Sequence, residues 1–203
     1  MESAKIRLSA EELALASDPG VILTKNAVIA KAADLLGDVS AFLQDSMREP
    51  THAIADAIDP GPKISRGENY LGMPYVILDF PRYFREHDIF AVRTMFWWGN
   101  LFSMTLHLKG NYRGHFKSRL TAAREHLAAT GHYIAIAEDE WEHHFGEDNY
   151  LPLSDLDEEE WEGLWNARTF TKIALRWPVS EWNEGVEDKM QAAFLEWKAM
   201  LGI

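Results

Sequence analysis

Two runs rich in β-branched and aromatic residues, Ile89–Trp98 and Leu101–Leu108, are separated only by Gly99 and Asn100. Glycine at the first position of a two-residue connection suits a type II′ turn, whose twist matches that of the strands it joins. The spacing therefore predicts an antiparallel hairpin. With a two-residue loop the register follows by counting. Trp98 faces Leu101, Phe96 faces Ser103, Thr94 faces Thr105 and Val92 faces His107.

In that register one face carries Ile89, Ala91, Met95, Trp97, Phe102, Met104, Leu106 and Leu108, with Arg93 among them. The other mixes Phe90, Val92, Phe96, Trp98 and Leu101 with Thr94, Ser103, Thr105 and His107. Arg93 is the informative residue. A guanidinium cannot shed its charge, so on an apolar strand face it needs a carboxylate or an anionic ligand. Asp79, in Leu78-Asp79-Phe80-Pro81, is one candidate partner. An ion pair with Asp79 or another acid is preferred over ligand binding, and an arginine reaching out to the sheet margin is the other structural explanation.

The remaining elements surround this hairpin. Ser9 and Glu12 have capping-box spacing and open a short helix that stops at Ser17-Asp18-Pro19-Gly20. A longer helix runs from about Asn26 to Met47 on an apolar stripe at three- and four-residue steps. Thr51–Ile58 allows a turn or two of helix, and Lys63–Gly72 reads as a polar loop. Tyr75–Phe80 lacks clean alternation and suggests an interior strand. Arg113–Ala129 is an amphipathic helix, Tyr133–Ala137 a short strand, and Ser154 or Asp157 caps a further helix. Thr169–Val179 alternates as a strand, and Ser180 caps the last helix. The expected fold is α+β: an antiparallel or mixed sheet with its central hairpin packed against several amphipathic helices, in a single domain over residues 1–203.

Charge and composition narrow the function. The net charge of -12 argues against nucleic acid or an anionic membrane as a general partner. With Cys at 0, disulfides, thiolate metal ligands and cysteine nucleophiles are excluded. No signal-like segment or membrane-length apolar run is present, which makes the cytoplasm the expected compartment. From Lys109 to Arg124 every charged residue is basic, whereas Glu125–Ala167 holds no Lys or Arg. A basic helix against an acidic neighbour explains this pattern. Glu138–Asp148, with His143 and His144, lacks metal-site spacing and reads as a solvated acidic loop, so no metal or cofactor is expected.

Six residues are candidates for ligand binding: Arg66 in the polar loop, Asp79, Arg93, Ser103, Thr105 and His107. Ser103 and His107 lie roughly 13 Å apart along a strand, too far for a nucleophile–base pair. Two functions follow. The first is a binding domain for a small organic anion or a protein partner. The alternative is an enzyme in which His107 or Asp79 acts as general acid or base and Arg93 orients an anionic substrate.

Overall fold

The computed structural model describes residues 6–203. Seven strands form one open antiparallel sheet in the order β1-β2-β3-β4-β7-β5-β6. They are Lys63–Tyr70 (β1), Met73–Phe84 (β2), Ile89–Trp97 (β3), Leu101–Lys109 (β4), Tyr133–Ala135 (β5), Tyr150–Pro152 (β6) and Phe170–Pro178 (β7). The helices are Ala10–Ser17 (α1), Pro19–Ser46 (α2), Ala55–Ile58 (α3), Gly110–Ala129 (α4), Glu158–Ala167 (α5) and Val186–Leu201 (α6). This is an α+β fold. Among the described residues no single helix is long and apolar enough to cross a membrane.

Helices cover one face of the sheet. Leu36 and Leu43 of α2, Phe116 of α4, Trp161 of α5 and Trp197 of α6 share one apolar cluster with Val76, Phe90, Phe96, Phe102 and Ile173. The basic α4 lies against acidic α5, with Lys117 Nζ 2.9 Å from Glu162. The capping boxes form at Ser9/Glu12 and at Asp157/Glu160.

Four local expectations are corrected. Helix α2 starts at Pro19, well before Asn26, because the Ser17–Gly20 punctuation both ends α1 and opens α2. Asp18 caps Gly20 N–H at 2.8 Å, and Pro19 takes the first helical position, where its missing N–H is harmless. Residues 63–70 are a strand, not a loop. Leu71 (φ 49°) and Gly72 (φ 83°) turn it into β2 with the two positive φ values of a type I′ turn. β1 looked like a loop because an edge strand tolerates charge and glycine. Helix α6 begins at Val186, since residues 179–181 form a 3₁₀ turn that sets Trp182 edge-on against Phe96 and Phe102. A short strand absent from the sequence reading, β6, completes the far edge.

The remaining difference reaches the site. Trp97, not Trp98, pairs with Leu101, so the β3–β4 loop is three residues long with Gly99 at φ +71°. Trp98 leaves this ladder and donates its N–H to Pro74 O at 3.0 Å. A one-residue slip reverses which side chains share a face. Arg93 therefore pairs with Thr105, and Ala91 with His107. The cation and the Ser103, Thr105, His107 series lie on one face, while Phe102, Met104, Leu106 and Leu108 join the helical core.

Two glycine substitutions separate the turn from the helix. Gly99→Ala forces a side chain into the left-handed region and is expected to cost about 1 kcal/mol. Gly37→Ala, on open space within α2, is expected to stabilise by up to about 1 kcal/mol. Urea unfolding of the two variants reads both signs.

Candidate functional site

The face away from the helices is polar at its centre and apolar on either side. Ile77, Met95, Trp97 and Leu101 form one small cluster, and Ala135, Tyr150, Phe170 and Ala174 another. Between them, Asp79, Arg93 and Thr105 are successive partners across β2, β3 and β4. His107 of β4 is paired with Lys172 of β7. Unpaired charge in such a position is costly, so each group needs a partner.

Residues 136–149 supply many of those partners. They cross this face as a strap instead of forming a solvated acidic loop. Arg168 holds the strap's start, with Nη2 donating to Ile136 O at 2.7 Å. Phe145 stacks on Tyr150 at 4.5 Å near its end. In the middle, the Tyr70 hydroxyl accepts from His143 N at 2.6 Å and His144 N at 3.0 Å, and donates to Glu142 at 3.0 Å. The Lys172 ammonium donates to the Glu142 carbonyl.

Arg93 is clamped from two directions. Its Nε donates to Asp79 Oδ1 at 2.7 Å and its Nη2 to Oδ2 at 2.9 Å, a bidentate pair. Its Nη1 donates to His143 Nε2 at 3.0 Å, so the imidazole accepts there. Burial, then Lys172 and Arg93, push the His143 imidazole well below its ordinary range, in keeping with a neutral acceptor. Phe84 and Trp141 flank the guanidinium at 5.5 and 5.9 Å from their ring centres.

Glu140 organises the neighbouring group. It accepts from Lys109 at 2.7 Å and from His107 Nε2 at 3.2 Å. The hydrogen bond from His107, aided by Lys109 and opposed by burial, draws the Glu140 carboxyl down to about 2. Burial lowers the His107 imidazole, opposed by its hydrogen bond to Glu140; its Nε2 is the donor there because an ionised carboxylate can only accept. Burial first, and Arg93 second, bring the Lys172 ammonium down to about 7.

Beside the strap opens a cleft of about 380 Å³, lined by Lys63, Ser65, Tyr70, Tyr75, Ile77, Asp79, Arg93, Met95, Trp141 and His143. Of the candidate residues, Asp79 and Arg93 meet in this cleft. Thr105 lies beside Arg93 in the sheet, His107 is spent on Glu140, and Ser103 sits opposite Met95 and Arg176. Arg66 pairs with Val76 and belongs to the opposite face. Sequence reasoning missed Tyr70, Trp141, His143 and Lys172. Tyr70 and Trp141 are lone aromatics in polar segments, and Lys172 sits between Phe170 and Ala174 on one strand face, the signal that Arg93 also gave. Among the described residues no three His, Asp or Glu side chains converge as a metal site. No protein-family model, no curated protein and no solved structure matches the chain.

Two measurements probe the strap. Tyr70→Phe leaves the His143 and His144 amides without their acceptor; it is expected to cost about 1–3 kcal/mol and to speed amide hydrogen exchange at both residues. The second concerns pH. Lys172 in the unfolded chain holds its proton up to about 10.4, whereas the folded protein releases it near 7. The unfolded state therefore binds more protons between these limits, and this group makes stability rise with pH across that window. Lys172→Met is expected to flatten the rise in urea midpoint between pH 7 and 10.

Proposed function

We propose that this domain binds a small organic anion in the cleft between β1–β3 and the strap. The observation that carries the reading is the partly spent Arg93. Its side chain is 17% exposed at the cleft. Three of its five N–H groups are used on Asp79 and His143, and two have no partner among the described residues. A carboxylate or phosphate oxygen would satisfy them. Asp79 offsets the charge of Arg93 in the cleft, so Lys63 supplies its net positive charge, while Tyr70, Tyr75 and Met95 offer apolar walls for an organic body. Trp141, still 46% exposed, is placed to cover it.

The enzymatic alternative has weaker support. His107 is 5% exposed and engaged with Glu140, and both oxygens of Asp79 are engaged with Arg93. Neither group is poised to exchange a proton with a substrate. Binding without chemistry uses the donors that are left.

Benzoate, phenyl phosphate and uncharged benzyl alcohol test the proposal by thermal shift. The two anions are expected to raise Tm and the alcohol to leave it unchanged. The double variant Asp79→Leu/Arg93→Met removes both charges together, so that neither is stranded, and is expected to lose the shift. Retention of the full anion response in that variant removes Arg93 from recognition.

A further inference from the structure

We infer that Gly67 is the specificity-determining residue of the cleft, and that the ligand is an anion whose ring is joined directly to its charged group. The inference rests on the anion binding proposed above. Three cross-strand rows make the floor of the cleft. Lys63, Asp79 and Arg93 are successive partners in the first, and Ser65, Ile77 and Met95 in the second. Gly67, Tyr75 and Trp97 form the third. Rows on one face are two residues apart, about 7 Å along the strands. A charged group held at Lys63 and Arg93 therefore sets its attached ring over Ile77 and Met95, with the far end towards Tyr75.

Glycine inside a strand gives up side-chain packing and loses more chain entropy than other residues, so its presence needs a reason. Backbone conformation is not that reason, since Gly67 is not among the glycines with positive φ. Space is. A Cβ at Gly67 would lie 2.3 Å from Tyr75 Cζ, 2.4 Å from its Oη and 2.5 Å from its Cε1. The Tyr75 ring thus lies across β1, in the gap that the missing side chain leaves, and forms floor beneath a ligand. Its other cross-strand neighbour is Trp97, and Tyr70 stands edge-on to both, 6.4 Å from Tyr75 and 5.3 Å from Trp97. With those sides filled, a methyl group at position 67 lifts the ring off the strand and into the space over Ile77. The charged row lies four residues further along each strand, roughly 13 Å away, and keeps its geometry.

NMR titrations of the full chain, read on the Arg93 side-chain N–H signals, give Kd for benzoate and for acetate, which has the same charge without the ring. Wild type is expected to prefer benzoate by more than about tenfold, and Gly67→Ala to remove that preference while leaving acetate within about twofold. In a Tyr75→Ala background, where no ring remains to be lifted, Gly67→Ala is expected to leave the benzoate Kd unchanged. In wild type, nuclear Overhauser contacts are expected from the benzoate ring to Met95 and Tyr75. An aromatic ring over a strand glycine also stabilises a sheet by itself, but that role alone does not separate the two anions. Benzoate bound equally by wild type and Gly67→Ala overturns the inference, as does equal loss of both anions. A benzoate loss that persists without the Tyr75 ring, or benzoate contacts to neither Met95 nor Tyr75, overturns it too. Arg93 signals that respond to neither anion in wild type overturn the binding reading itself, and this inference with it.

Discussion

An arginine on the uncovered face of a sheet cannot be neutralised by losing a proton, so the structure around it must supply the compensation. Arg93 receives it from Asp79 on the adjacent strand and from His143 in the strap. The bidentate pair ties β2 to β3 at their centre, and the histidine draws the strap over the sheet. Once the strap lies there, Lys172 and His107 are shielded from water. Their partners, the Glu142 carbonyl and the Glu140 carboxylate, come from the same segment. The polar network and its cover are therefore interdependent, and partial satisfaction would be worse than an apolar face.

The two faces do different work. Helices on one side enclose an apolar core of ordinary composition. On the other, two small apolar clusters brace the ends of the strap, and the middle is held by directional hydrogen bonds. Hydrophobic burial is tolerant of small shifts, whereas a bidentate ion pair is not. The second face is thus held by directional contacts, which suit the anion binding proposed for its cleft.

The hairpin, the Ser9 and Asp157 caps and the Arg93–Asp79 pair were readable from residue order, because each rests on local chemistry or on a charge that demands a partner; the Ser180 cap was not, since α6 starts at Val186. The register was not. Gly99-Asn100 looks like a complete two-residue turn, and it is the pairing of Trp97 with Leu101, with Asn100 N–H donating to Trp97 O at 3.1 Å, that places Trp98 in the loop. That single residue moved Arg93 from the Phe102, Met104 and Leu106 face to the Thr105 and His107 face. The strap was hidden for a similar reason. Glu140 and Glu142 resemble solvated acids until the tertiary fold sets them beside His107, Lys109 and Tyr70. Strand β1, with alternating polar residues on a sheet edge, carries no periodicity that separates it from a loop.

A double-mutant cycle for stability on Arg93 and Asp79 isolates the pair on which this arrangement turns. Arg93→Met strands a carboxylate and Asp79→Leu strands a guanidinium, and each is expected to cost about 3–5 kcal/mol; the double variant, with no charge left behind, should recover most of that loss. If the double variant instead loses the sum of the two single costs, Arg93 and Asp79 act independently, and the strap and cleft do not depend on their contact.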